Sequence, residues 1–134
     1  MPVRARPVRV GGSAQLRDAI RPGRDGTTTL CPDGAAAVLY GDCPAPLAAR
    51  AVALLRAQAP GCGRGVPERH GWRHTPSTYV VCAQDRAVDP VLQRRMASRC
   101  TEMREWRTGH SPFVGRPPLV VGLLRELLAS TTAP

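Results

Sequence analysis

The sequence predicts an α/β fold in which a largely helical segment leads into a strand–helix–strand–helix unit of parallel strands. Three observations carry that expectation. Ser77-Thr78-Tyr79-Val80-Val81-Cys82 is a short β-branched and apolar run, bounded by Pro76 before it and Gln84-Asp85 after it, as a buried strand is. Asp89-Pro90 then has the pairing of an N-cap with a proline at the first helical position. A second short run, residues 103–108, ends at Gly109-His110 and is followed by Pro117-Pro118, a second helix start. Strand, helix, strand and helix within about fifty residues imply a parallel pair joined by a right-handed crossover.

The elements follow in order. Residues 1–12 contain the basic, proline-interrupted MPVRARPVR and read as a loose lead-in. From Gly11 to about Ala59 the pattern is helical, broken by turn signals at Arg21-Pro22-Gly23 and Cys31-Pro32-Asp33-Gly34. Its clearest helix is PAPLAARAVALLRAQ, where Leu47, Ala51, Leu54, Leu55 and Gln58 recur at helical spacing. GCGRGVPERHGWRHT, residues 61–75, is rich in Gly and charge and reads as a connecting loop. In the helix after Asp89, Val88, Leu92 and Met96 form the expected inward stripe. In the last helix, Val120, Leu123, Leu124 and Leu127 do. The division is therefore 1–12 lead-in, 13–75 helical segment with its loop, and 76–134 strand–helix unit.

Composition narrows the function classes. The chain has 134 residues, 43% hydrophobic, so a folded domain with one modest core is expected. Its formal charge is +9, carried by nineteen basic residues that are all arginine. The arginines are scattered, and aromatic residues make up only 4%, so stacking platforms for single strands are few. An Arg-rich nucleic-acid-binding module is the reading from a different class, and the scatter argues against it. Cys31, Cys43, Cys62, Cys82 and Cys100 form no CxxC pair and no even disulfide framework. No stretch has the apolar core of a signal peptide or the length of a membrane span, so a cytoplasmic setting and no membrane partner are expected.

Asp85 and His110 stand immediately past the carboxyl ends of the two expected strands, where open α/β sheets gather functional groups. An Asp there can fix the tautomer of an imidazole and stabilise the imidazolium formed in acyl transfer. The pair alone is thin evidence, because an Asp after a strand is most often a turn or cap residue and a single His most often structural. Met96 and Met103 read as core filler. His70 and His74 have the i, i+4 spacing of zinc ligands, but Gly71 and the loop composition argue against the helix they would need. No metal and no cofactor is expected; no phosphate loop or dinucleotide fingerprint occurs.

Two longer stretches add specificity. WRHTPSTYVVCAQDRAVDPVLQRRMASRC and EWRTGHSPFVGRPPLVVGLLRELL resemble the C-terminal half of α/β-hydrolases, specifically bacterial esterases related to plant methyl esterases and hydroxynitrile lyases. Tyr79, Asp85, Gln93, Met96, Gly109, His110, Ser111, Pro112, Phe113, Arg116 and Pro117 carry the similarity in order. LYGDCPAPLAARAVALLRAQ is similar to the family's cap. The resemblance covers about residues 27–129 and implies a partial α/β-hydrolase fold: a cap segment, then the last strands and helices of the core. It implies Asp85 as the acid and His110 as the general base of a Ser-His-Asp triad. Leu39, Leu47, Leu54 and Leu55 would then shape a pocket for a small ester with apolar parts. Asp89 competes for the acid role, but its place before Pro90 suits an N-cap. Gly115 departs from the polar residue expected ahead of Arg116-Pro117.

The larger departure is the nucleophile. The family places it in a G-x-S-x-G turn before the cap, and no such sequence occurs. Ser13, in Gly12-Ser13-Ala14, lacks the second glycine and a preceding apolar strand. Ser111 adjoins His110, a placement that rarely orients a nucleophile toward its base. Cys82 falls inside a strand and reads as buried and inert. The expectation is a C-terminal hydrolase portion that is inactive alone: a truncated product, half of a split enzyme, or a non-catalytic binding derivative. Its expected partners are a small ester in the complete enzyme, and the missing N-terminal half or a second copy.

Overall fold

The computed structural model describes residues 12–62, 65–66 and 68–131; the expected lead-in falls almost wholly outside them. The chain opens with helix α1, Ala14–Ala19, whose Ser13 hydroxyl accepts from the Leu16 N–H. Where the sequence pattern suggested helix broken by a turn, strands β1 (Ile20–Pro22) and β2 (Thr28–Leu30) form an antiparallel hairpin. Gly26 turns it with φ +81°, a left-handed conformation that favours glycine, and Asp25 accepts from both the Thr27 amide and its hydroxyl. Each strand has only three residues, too few for a periodicity of two to register. The turn signal at Arg21-Pro22-Gly23 is real, but strands flank it.

Cys31-Pro32-Asp33-Gly34 is the start of helix α2, Pro32–Leu39, with proline in the first turn. Helix α3, Ala45–Ala53, follows after the turn Tyr40–Cys43. It stops well short of Gln58, because the Gln58 backbone exchanges two hydrogen bonds with Thr28 at 2.8 and 3.0 Å and so extends the hairpin. The expected leucine stripe is not a core stripe: Leu47 and Leu54 are exposed, and Ala48 is the residue α3 buries. Within residues 61–75, the described positions form loop and one 3-10 turn, Gly71–Arg73.

Strand β3, Thr78–Cys82, helix α4, Pro90–Ala97, and strand β4, Glu102–Trp106, form the expected unit. The strands pair in parallel from Thr78 opposite Glu102 to Cys82 opposite Trp106. Asp89 caps α4 by accepting from the Val91 N–H at 2.7 Å. The buried stripe of α4 is Gln93 and Ala97, one position round from the expected Val88, Leu92 and Met96, which are half-buried. A short helix α5, Pro112–Gly115, precedes α6, Pro117–Thr131. Gly115 closes α5 rather than opening the last helix.

The buried apolar side chains are small. Among the described residues they are Ala19, Ala35, Val38, Ala48, Val81, Cys82, Ala87 and Ala97, with no leucine, isoleucine or aromatic ring. Helix α6 buries none of its residues, and Leu119, Val121 and Leu124 are exposed, so its expected inward stripe is at most half-covered. Met103 is exposed on β4 rather than core filler, and Met96 is half-buried.

Candidate active site

The parallel register brings the carboxyl ends of β3 and β4 to one sheet edge. Two backbone bonds carry the pairing past the strands, Ala83 N–H to Trp106 O at 2.8 Å and Gln84 N–H to Thr108 O at 3.0 Å. Asp85 and His110 follow directly. The His110 Nδ1 lies 2.9 Å from Asp85 Oδ2. The Asp85 side chain is 4% exposed and the imidazole 34%. An ionised carboxylate can only accept, so the Nδ1 proton belongs to this bond, and neutral His110 keeps its lone pair on Nε2.

Asp85 is held from every side. Its Oδ1 accepts from the Ala87 N–H at 2.7 Å and the Val88 N–H at 3.0 Å, and its Oδ2 accepts from Gln93 Nε2 at 2.8 Å as well as from His110. Burial pushes the Asp85 carboxyl up. The hydrogen bonds from His110, Val88 and Ala87 outweigh it, and the group stays below its ordinary value. Gln93 is buried and its amide is fully used: Nε2 also donates to Val88 O at 2.9 Å, while Oε1 accepts from the Cys82 N–H at 2.9 Å. It ties strand β3, the acid and the following loop together.

Sequence reasoning missed this role for Gln93. The available signal was a long polar residue on the stripe of α4 that faces β3, four positions before Ala97. Asp42 was missed too: its Oδ2 accepts from the Gly109 N–H at 2.6 Å, across 67 residues of sequence.

The other candidates lie elsewhere or are already occupied. Asp89 is an N-cap and does not join the pair. The Ser13 hydroxyl donates to the Arg86 carbonyl and caps α1. Ser111 is 2% exposed, and its carbonyl accepts from the Val114 and Gly115 amides at the start of α5. Cys82 is buried, and burial pushes its thiol up. His70 stacks tilted against Trp72, with ring centroids 5.8 Å apart. Among the described residues no three His, Cys, Asp or Glu are placed to share a metal ion, and no hydroxyl is hydrogen-bonded to His110. A cleft of about 430 Å³ is lined by Val38, Gly41, Asp42, Gln84, Arg86 and Gly109 among others, which include sequence neighbours of Asp85 and His110 but neither of the two themselves. The leucines expected to line a pocket, Leu39, Leu47, Leu54 and Leu55, do not border it.

Parallel strands with an acid and a histidine at their carboxyl ends, in that order, are an arrangement of α/β-hydrolases. Residues 2–123 match the alpha/beta hydrolase family, and the chain belongs to it. A curated relative, an alpha/beta hydrolase of Aspergillus novofumigatus, is 36% identical over a 93-residue alignment that covers 66% of this chain and 37% of the relative. Among solved structures, a polyneuridine aldehyde esterase mutant superposes with TM-score 0.66 at 15% identity, over 84% of this chain and 49% of its own. A pyrethroid hydrolase superposes with TM-score 0.70 at 15% identity, over 99% of this chain and 54% of its own. The chain thus spans about a third of the curated relative and about half of each solved structure. No helix among the described residues is long and apolar enough to cross a membrane.

Proposed function

We propose that this chain carries the acid and general base of an esterase-type α/β-hydrolase, and that the nucleophile comes from sequence outside these 134 residues. The observation that carries the reading is the 2.9 Å contact between His110 Nδ1 and Asp85 Oδ2 at the carboxyl edge of the parallel strands. In the complete enzyme, His110 Nε2 takes the serine proton as Oγ attacks the ester carbonyl carbon. It then returns that proton to the departing alkoxide as the C–O bond breaks. Water hydrolyses the acyl-enzyme by the same exchange, and Asp85 stabilises the imidazolium in both halves without itself taking the proton. Two structural neighbours are by name an esterase and a pyrethroid hydrolase, which favours a small ester as substrate class.

In this reading residues 13–75 act as the cap and the 430 Å³ cleft is the near end of the acyl pocket. The five free thiols suit a reducing, cytoplasmic setting. The exposed apolar residues of α6, and the edges of β3 and β4 that pair with no further strand among the described residues, suit a second body packing there, either the hydrolase N-terminal half or another copy. The chain alone is expected to turn over a nitrophenyl ester no faster than a heat-treated control. Saturable turnover lost in His110→Ala would refute the missing nucleophile. Expression with the sequence encoded immediately upstream should restore turnover, provided an in-frame strand and G-H-S-x-G precede the cap. Restored turnover that survives His110→Ala would refute the base assignment.

A further inference from the structure

We propose that Asp42, in the turn between α2 and α3, is a positioning residue for His110, clamping the loop that carries the imidazole. The proposal rests on the reading of Asp85 and His110 as a working pair. Asp42 Oδ2 accepts from the Gly109 N–H at 2.6 Å, and the neighbouring Cys43 Sγ lies 3.9 Å from the Ser111 carbonyl. The two residues of one turn therefore touch the residues on both sides of His110.

The identity of Gly109 points the same way. Among the described residues only Gly26 and Gly61 have positive φ, so the Gly109 backbone does not itself require glycine. The contact with Asp42 does: a Cβ at Gly109 would come within 2.8 Å of the Asp42 Cγ, so any larger residue there would push the carboxylate off the Gly109 amide. The loop is anchored upstream by Thr108 O, which accepts from Gln84 N–H, and downstream by buried Ser111. Between those anchors sits a glycine, the residue with the most backbone freedom to lose. A 2.9 Å contact between His110 and Asp85 tolerates little drift, and an external acceptor on the Gly109 amide removes that drift. Asp42 lies on an exposed turn, so its effect comes from geometry rather than from burial.

The test is the tautomer of His110, read from imidazole 15N shifts in the full chain at about pH 8.5, where an ordinary imidazole is neutral. The parent is expected to hold its proton on Nδ1. Asp85→Asn sets the scale, removing the carboxylate that fixes the tautomer. Asp42→Ala is expected to move the His110 shifts at least half as far as Asp85→Asn does, with His70 and His74 unmoved. Asp42→Asn keeps an acceptor oxygen and should stay near the parent. Gly109→Ala should move His110 as Asp42→Ala does, and it decides the matter if Asp42→Ala does not fold. A folded Asp42→Ala, or in its place Gly109→Ala, with the parent tautomer overturns the proposal. If Asp85→Asn itself leaves the shifts unmoved, the pair is not functional as read, and the role of Asp42 falls with it.

Discussion

The strand–helix unit around Asp85 and the terminal helix α6 solve their bonding problems in opposite ways. In the first, Gln93 uses both ends of its amide, and Asp85 accepts four hydrogen bonds, all within residues 82–110. In the second, fifteen residues bury no side chain. Helix α6 meets β4 across a shallow cleft lined by Arg104, Trp106, Leu119 and Leu123, with an exposed Arg104–Glu126 ion pair at 3.6 Å. The hydrogen bonds around Asp85 are made mostly between near neighbours, whereas the apolar residues of α6 stay exposed among the described residues. Positioning an acid beside a histidine takes a few short directional bonds between neighbours, but covering a helix face takes area that another layer of structure must supply.

The sharpest way to break this comparison is at the pair itself. On the proposed assignment, Asp85→Asn in the complete enzyme should lower kcat by about 10⁴-fold with the fold intact, as loss of the orienting acid does in Ser-His-Asp triads. A loss below tenfold in steady-state kinetics would show that the local network has no catalytic consequence.

Gln93→Leu probes whether that network also holds the chain together. It removes a donor from Asp85 and leaves the Cys82 N–H and Val88 O without their side-chain partner in a buried site. A loss of about 2–3 kcal/mol is expected, read from the urea midpoint. An unchanged midpoint would mean water replaces the amide without cost.

Acid should act on the same region. The Asp85 carboxyl is held below its ordinary value of 3.8, so its contribution to stability is present above that pH and drains away as pH falls through the folded value. Unfolding by acid should therefore steepen below about pH 4, and Asp85→Asn should flatten that limb. Identical acid limbs in parent and variant would contradict the depressed value.

The smallest effect on stability is expected on α6. Leu124→Gln should change the unfolding free energy by no more than about 0.5 kcal/mol, since Leu124 is 54% exposed. It should nevertheless reduce self-association. The parent is expected to form dimers or larger species whose population rises with salt, because a net charge of +9 repels over a distance screened to roughly 8 Å at physiological ionic strength. Sedimentation of the parent as a monomer at high concentration would show that the exposed stripe of α6 needs no partner.

Much of the strand–helix unit was legible in the sequence. The β-branched run before Cys82, the Asp89-Pro90 helix start and the Pro117-Pro118 helix start are local signals, and each element stands within a residue or two of where those signals put it. The parallel register then places Asp85 and His110 at one edge, because residues following parallel strands must emerge on the same side. Other features depended on which segments meet in space. Gln58 pairing with Thr28 cut α3 short and left the leucine stripe outside the core. The one-position rotation of α4 turned Gln93 onto Asp85. The approach of the α2–α3 turn to Gly109 gave Asp42 its partner. Periodicity and capping are set by neighbours three or four residues apart. A hydrogen bond between residues 42 and 109 is set by packing between segments, and no local pattern encodes it.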